Sequence, residues 1–278
     1  MPSYRFCRPD DLQLIARAYN ACYRLHYPQE PEMSEERFKE QMTLFEARPG
    51  NCMVALERQQ PVGVVVSSRR ETSAWIQAIG CIPACQRQGI GAQLIEALLR
   101  KIAIQRTALI TVDVPADHAP AVAFFRAVGF TEHDRYLSYQ GTLPACSLPP
   151  HKVTAVAVPE ALKFYQAYHA APACWERTAA SLTAYGTVPR GYVSTTQEGV
   201  QGYLLHRGKT ILDLALAPQA DALPVCQALL RQMRLATADD AAPATLAKVP
   251  QDEPLHMVLG QLGFRVVQEY LSMRQNLQ

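Results

Sequence analysis

Two sequence patterns from the first half of the chain recur in the second half. The pattern Gly-Phe, five residues, Tyr-Leu-Ser begins at Gly129 and again at Gly263, at an offset of 134 residues. The pattern Ala-Leu-Leu-Arg likewise begins at Ala97 and again at Ala228. Because the matched segments are spread over helix-like and strand-like stretches, they indicate two copies of one topology.

A proline-rich stretch separates the two copies. Residues Thr142 to His151 contain three prolines between one strand-like segment and the next, which is typical of a linker. A length of 278 residues also favours two domains, since a domain takes roughly 100–200 residues. We therefore predict an N-terminal domain over residues 1–143 and a C-terminal domain over residues 150–278.

The composition narrows the class of protein. With 49% hydrophobic and 19% charged residues the chain is not intrinsically disordered. Its 27 basic and 25 acidic residues give a net charge of +2, and the basic residues are scattered, so we expect no nucleic-acid partner. Charged residues such as Arg5 and Asp11 stand where a signal peptide would be apolar, so we expect no membrane association. Eight cysteines without a Cys-x-x-Cys pair suggest reduced thiols and a cytoplasmic protein.

The spacing of apolar residues predicts a mixed α and β fold. In the first half we predict strands at Tyr4–Cys7, Cys52–Arg58, Val62–Ser68, Ser73–Ile82, Ala108–Val114 and Phe130–Tyr139, and helices at Leu12–Arg24, from Ser34, from Ile90 and at Pro120–Val128. Asp10 is predicted to cap the first helix, and Pro49-Gly50 to end the second. Apolar residues from Ile90 to Ile102 follow helical spacing and predict one buried stripe.

The turn between the strand ending at Ile82 and the helix starting near Ile90 is the candidate site. Gly89 and Gly91 stand at the start of this helix, where free N–H groups and the helix dipole favour a phosphate group. Two glycines alone also suit an ordinary strand-to-helix turn. The absence of Gly-Lys-Ser/Thr argues against a nucleotide P-loop, and the missing third glycine argues against a dinucleotide fingerprint.

With its surroundings, this turn resembles the GNAT superfamily of acetyl-CoA-dependent N-acetyltransferases. Gln-x-x-Gly-x-Gly begins at Gln86, and a later helix ends in Phe-Phe-x-x-x-Gly-Phe, which begins at Phe124. The resemblance spans about residues 4–140. It implies two tandem domains, each a mostly antiparallel, splayed sheet flanked by helices. It also implies acetyl-CoA as co-substrate, with no metal.

The resemblance implicates two stretches of backbone in binding the cofactor. The loop is implied to cradle the pyrophosphate, and the strand before it to pair with the pantetheine arm. The residues so implicated are Gln86, Arg87, Gln88, Gly89, Ile90, Gly91 and Ala92 in the loop, and Ile79, Gly80 and Cys81 in the strand. Phe125 and His118 are two further implied cofactor-binding positions, and both depart from the family pattern. The family often has a tyrosine that acts as proton donor at the first position and an asparagine that contacts the cofactor at the second.

Such a fold catalyses chiefly by proximity and needs no covalent nucleophile. Asp113 is the candidate general base, because it alternates with Val112 and Val114 in a strand and so points to the opposite face. The alternative is a strand-end aspartate that caps a turn or pairs with a surface arginine. Tyr136 and His118 are weaker candidates for a proton relay.

Cys81 and Cys85 are interpreted as core thiols, since nothing in the sequence places a histidine beside them.

The acceptor is less defined. Tyr23, Arg24, His26 and Tyr27 lie between the first two helices, where the family forms its acceptor wall, and suggest a polar or aromatic small-molecule amine. An ordinary helix end would look the same. We expect a monomer or homodimer.

The second half lacks the glycine turn. Aligned on the Ala-Leu-Leu-Arg repeat, Gly89 and Gly91 correspond to Ala220 and Ala222, with Asp221 between them. An aspartate there repels a pyrophosphate, which predicts a degenerate GNAT-like domain without a cofactor. The alternative function for the whole chain is a non-catalytic acyl-CoA-binding sensor or scaffold that keeps the fold.

Overall fold

The computed structural model describes residues 2–144, 152–169, 173–237 and 242–277. Most of the predicted linker, including Cys146, lies outside these residues. The strands are β1 (Ser3–Phe6), β2 (Met53–Glu57), β3 (Gln60–Arg70), β4 (Ser73–Cys81), β5 (Leu109–Pro115), β6 (Thr131–Gly141), β7 (Lys152–Val156), β8 (Arg190–Thr196), β9 (Gly199–Arg207), β10 (Thr210–Leu216), β11 (Ala244–Pro250) and β12 (Arg265–Asn276). The helices are α1 (Leu12–Cys22), α2 (Glu35–Phe45), α3 (Ile90–Ile104), α4 (Ala119–Ala127), α5 (Val158–Leu162), α6 (Tyr165–Tyr168), α7 (Ala179–Ala184), α8 (Ala222–Ala236) and α9 (Leu255–Gln261).

The chain divides into two compact units. Unit 1 contains the chain up to Val114, His118–His133 and the chain from Ser272 onward, and unit 2 contains Pro115–Asp117 and Asp134–Leu271. Each unit therefore includes residues from both copies of the repeat. The predicted domains, residues 1–143 and 150–278, correspond to the two copies of the repeat and not to these two units. Their boundaries remain a prediction.

Local sequence signals account for the starts and ends of the first two helices. The Ser34 side chain accepts a hydrogen bond from the Arg37 N–H and caps α2, as predicted. The prediction that Asp10 caps α1 is wrong, because the residue before the helix is Asp11. Its carboxylate instead pairs with Arg5 and accepts the Arg8 N–H, so it does not cap the helix.

Helix α2 also ends earlier than predicted. It stops at Phe45 because Glu46 adopts a left-handed conformation, and Pro49-Gly50 lies in a separate short turn.

The sheet of unit 1 is mostly antiparallel. The order β1-β2-β3-β4 is antiparallel throughout, and β5 then joins β4 in parallel. On one face, α1 and α2 pack through residues such as Tyr19 and Phe38. On the other face, α3 buries Leu94, Ile95, Leu98 and Ile102, which confirms the predicted apolar stripe.

The sheet of unit 2 repeats this arrangement. Strands β7, β8, β9 and β10 pair antiparallel in sequence, β11 joins β10 in parallel, and β6 pairs antiparallel with β11. Helices α8 and α9 pack on one face through residues that include Leu229 and Leu259. Helices α5 and α7 pack on the other through Ala161 and Leu182. The equal lengths of α3 and α8 and the matching strand order confirm that the two copies share one topology.

Within the described residues, the structure contains no helix with both the length and the apolar character that a membrane-spanning segment requires.

Candidate active site

Strands β4 and β5 separate part of the way along their length. They pair at Ser73–Ile76 with Leu109–Val112, yet β4 continues to Cys81 and β5 to Pro115. In the described chain, residues 77–81 of β4 therefore have no β5 partner along this edge. The main-chain groups on this edge that bond neither β3 nor a side chain are available to a ligand lying between the strands, because buried backbone polar groups need partners; the Cys81 carbonyl oxygen is bonded by His26.

The splayed end of β4 leads directly into the glycine turn. Pro83–Cys85 form one short helical turn, Arg87 has a φ of 61°, and Gly89 has a φ of 81° immediately before α3. Such positive φ values favour glycine, and at Gly89 the left-handed backbone sets the direction of the helix. The N-cap residue of α3 is Gly89, which has no side chain to bond the first N–H groups of the helix, and these groups have no partner within the helix. The turn and the strand edge follow each other directly in the chain. The turn suits a phosphate group, and the strand edge suits an extended chain that carries amides.

The end of α1 lies directly against β4. A Cβ atom on Gly80 would stand 2.0 Å from the Cys22 carbonyl oxygen and 2.8 Å from its carbon. Only glycine permits this approach. The segment after α1, which carries the predicted acceptor wall, is therefore positioned by the strand that carries the splayed edge.

A histidine joins this segment to the strand and the loop. His26 Nε2 lies 2.9 Å from the Cys81 carbonyl oxygen and 3.4 Å from Gln86 Nε2. Because a carbonyl oxygen only accepts, His26 must carry its proton on Nε2. Two donors do not bond each other, so Gln86 makes a bond here only with its amide turned to present Oε1.

Aromatic rings continue from α1 to the start of α4. The ring centroids of Tyr19 and Tyr23 lie 5.0 Å apart, those of Tyr23 and Tyr27 lie 4.7 Å apart, and those of Tyr27 and His118 lie 5.5 Å apart. The His118 Nδ1 atom accepts the Ala121 N–H at 3.1 Å and so caps α4. With Nδ1 accepting, the proton of a neutral His118 is on Nε2.

The two phenylalanines of α4 have different surroundings. Phe125 is only 3% exposed and packs against Phe124 and Phe130, with ring centroids 5.2 Å away in both cases. Phe124 is half-buried, and its ring lies 3.2 Å from where a Cβ on Gly91 would stand. Phe124, rather than Phe125, therefore contacts the start of α3.

Asp113 occupies the strand position next after the last β4–β5 pair. It is half-buried, whereas its neighbours Val112 and Val114 are buried, so the predicted alternation of faces is present. Tyr136, by contrast, belongs to unit 2, where it is buried and pairs with Pro250.

The Cys81 thiol lies near the loop and is partly buried. Burial raises the pKa of the Cys81 thiol, and the nearby Cys85 raises it further. The sequence did not indicate a histidine near these cysteines, and His26 bonds to the Cys81 carbonyl oxygen. That contact involves the main chain, and a raised pKa does not suit a thiolate nucleophile.

Unit 2 differs at the counterpart of the turn. The connection from β10 to α8, residues 217–221, is shorter than residues 82–89 between β4 and α3, and the residue before α8 is Asp221.

Among the residues that the structure describes, no group of three or more His, Cys, Asp or Glu side chains is arranged to hold a metal ion.

The splayed sheet, its glycine turn and the helices on both faces define the fold class of the acyl-CoA N-acyltransferases, as predicted. Residues 12–130 match the Acetyltransferase (GNAT) family, which assigns this segment of the chain to that family's fold.

Sequence and structure comparisons agree with this assignment. The chain is similar to the mycothiol acetyltransferase of Segniliparus rotundus, at 26% identity over 138 residues, which cover 47% of this chain and 52% of that protein. The match thus spans about half the length of this curated relative.

Two solved structures share the fold over the whole chain. The GCN5-related N-acetyltransferase of Sphaerobacter thermophilus has a TM-score of 0.73 at 15% identity, covering 100% of this chain and 96% of that one. A tandem GNAT protein from the clavulanic acid biosynthesis pathway has a TM-score of 0.64 at 14% identity, covering 100% and 99%. At these identities the likeness concerns the fold, and it supports the tandem arrangement.

Proposed function

We propose that the chain transfers the acetyl group of acetyl-CoA to the amine of a small molecule, using a single site in unit 1. The observation that carries this proposal is the unpaired edge of β4 at residues 77–81, which continues into the uncapped start of α3. An extended ligand with amides at one end and a pyrophosphate at the other fits this run of backbone. Ile79, Gly80 and Cys81 would pair with the pantetheine arm, and Gln86 to Ala92 would surround the pyrophosphate.

The cofactor supplies an activated acyl thioester, and the chain's own residues bind and orient the two substrates. Holding the amine in line with the thioester provides most of the rate enhancement in this mechanism. Asp113 would accept the proton that an entering ammonium must lose, directly or through water. The position of Asp113 just beyond the last β4–β5 pair supports this role.

A proton donor for the leaving thiolate is needed as well. Phe125 has no proton to donate, and its side chain is buried among other phenylalanines. His118 is the better candidate, because its Nδ1 accepts the Ala121 N–H and its Nε2 then carries a proton. Its place at the start of α4, beside Tyr27, supports a contact with the cofactor.

The buried Phe125 also favours a second function, in which the chain binds acyl-CoA as a sensor or scaffold without turnover. Both functions predict cofactor binding at unit 1, and only the first predicts release of free CoA when an amine is present. An acetyl-CoA assay with a panel of amines, polyamines, amino acids and peptide N-termini, read by free thiol, separates them.

Calorimetry with CoA tests the site itself. We expect one CoA per chain, and we expect Gly91→Glu to abolish binding by placing a negative charge at the pyrophosphate. Gly91→Ala is the matched control for the added Cβ, which stands 3.2 Å from the Phe124 ring. Ala222→Glu is the control at the start of α8 and should bind normally. Two equivalent sites, or none, would refute the single site.

A further inference from the structure

Unit 2 contains a splayed strand pair of its own. Strands β10 and β11 pair at Thr210–Ile211 with Thr245–Leu246, yet β10 continues to Leu216 and β11 to Pro250. Beyond the paired residues, backbone groups on the facing edges need other partners. In unit 1 the corresponding residues of β4, 77–81, have no β5 partner. In unit 2 a side chain lies between the two separated strands.

One guanidinium group spans the two strands. Arg177 Nε and Nη2 donate to Asp213 Oδ1 on β10, at 3.2 and 2.6 Å, and Nη1 donates to the Lys248 carbonyl oxygen on β11, at 3.2 Å. Arg177 is 3% exposed and Asp213 is fully buried. The planar, forked guanidinium suits this double role, because its N–H groups point in several fixed directions.

The second oxygen of Asp213 is also occupied. Tyr203 donates its hydroxyl to Asp213 Oδ2 at 2.6 Å, and His169 Nε2 lies 3.0 Å from the same oxygen. His169 Nδ1 lies 2.6 Å from Glu253 Oε1. Because both carboxylates accept, both ring nitrogens of His169 must carry protons, and the ring is an imidazolium.

These residues form one buried ionic cluster, which consists of Arg177, Asp213, His169, Glu253 and Tyr203. Two positive and two negative charges balance, and every member contacts at least one other. Removal of one charged member would leave an uncompensated charge in the interior, which is strongly destabilising. The cluster is therefore expected to stay intact or to come apart as a whole.

We propose that the buried ionic cluster takes, in unit 2, the place that a ligand's polar groups take between β4 and β5, and so holds the β10–β11 opening shut. Unit 2 then folds with the Asp213 carboxylate on β10 and the Lys248 carbonyl oxygen on β11 bridged by its own Arg177, and this opening accepts no CoA. The comparison with unit 1 rests on the proposed function, whereas the closure of unit 2 rests on the contacts of Arg177 alone.

Hydrogen–deuterium exchange on the full chain tests the closure. Arg177→Ala should speed amide exchange in residues 212–216 and 247–249 by about tenfold or more, because loss of the bridge between β10 and β11 lets the two strands open locally more often. Millimolar methylguanidinium should restore protection by occupying the vacated space, and tetramethylammonium should not. Arg190→Ala, which removes an exposed arginine of the same unit, is the control and should show neither effect.

Other arms of the experiment keep the proposal open to refutation. If Arg177→Ala does not fold, the double variant Arg177→Met with Asp213→Asn keeps the charges balanced and should still expose the β11 segment. Unchanged exchange in either folded variant, or no rescue by methylguanidinium, would overturn the proposal. In the wild type, CoA should protect residues 77–81 and leave 212–216 unchanged. Protection of 212–216 by CoA would also overturn it, whereas absence of any CoA effect would count only against the proposed function.

Discussion

His26 Nε2 lies 2.9 Å from the carbonyl oxygen of Cys81, the last residue of β4. This hydrogen bond links the segment after α1, which carries the predicted acceptor wall, to β4, which carries the predicted pantetheine contacts. Substituting His26 with alanine should raise the acceptor KM by about 2–10-fold, since one neutral hydrogen bond contributes ~0.5–1.5 kcal/mol. Steady-state kinetics with the acceptor varied at saturating acetyl-CoA would measure it.

Two matched variants give the His26 prediction its controls. His26→Gln retains a side-chain N–H donor and should recover part of the loss. Leu25→Ala changes an exposed neighbour in the same turn and should behave as wild type. An unchanged acceptor KM in His26→Ala, together with weaker CoA binding, would assign His26 to the cofactor alone.

Asp113→Asn tests the general base. Asparagine is nearly isosteric but not basic, so acetyl-CoA affinity should be unchanged while kcat at neutral pH falls, within the roughly 10²–10⁴-fold range of general-base catalysis. The deficit should shrink at high pH, where the amine is already neutral. A kcat–pH profile and a thermal melt decide the outcome. Lower stability with unchanged turnover per folded molecule would make Asp113 a structural residue.

A fragment of residues 1–145 should be less stable or less soluble than the whole chain. Ser272 and the residues after it belong to unit 1, and the Leu277 N–H donates to the Ala108 carbonyl oxygen at 2.9 Å. The fragment lacks these residues and exposes apolar surface in their absence. Thermal melts and light scattering would compare the two proteins. A fragment as stable and active as the full chain would contradict this prediction.

The stability of unit 2 should fall at alkaline pH. Burial opposes charging of His169, but the carboxylates of Asp213 and Glu253 outweigh it and raise the pKa of His169 to about 9. Tyr165, Tyr203 and Arg177 also face this ring. Because the folded pKa lies above the unfolded value of 6.5, the contribution is complete below pH 6.5 and is lost as pH rises through about 9.

Melting temperatures of the wild type and His169→Gln, compared across this pH range, isolate the effect. The difference between the two proteins should narrow as pH rises. A difference that stays constant would mean that His169 contributes through packing and not through its charge.

Short-range signals in the sequence were sufficient to predict the helices and the turn around the site. The stripe from Ile90 to Ile102, the Ser34 cap and the glycine turn each depend on residues close together in the chain, and the structure contains all three. The paired repeat likewise predicted the shared strand order, because each copy carries its own periodicity.

The sequence did not reveal contacts that join distant segments. Arg177 and Asp213 meet across 36 positions of the chain, and His169 and Glu253 across 84, with no local pattern that pairs them. The contact of His26 with Cys81 joins residues separated by 55 positions. The prediction of an Asp10 cap failed because the residue before the helix is Asp11, whose carboxylate bonds Arg5 and the Arg8 N–H.

Each unit contains residues from both copies of the repeat, and this limits how the chain can evolve. Residues 134–141 from the first copy lie in unit 2, while residues from Ser272 onward come from the second copy and lie in unit 1. Loss of either copy by deletion would remove part of both units at once. Selection on either unit therefore retains both copies, and the tandem arrangement is expected to persist even while one copy drifts away from its ancestral chemistry.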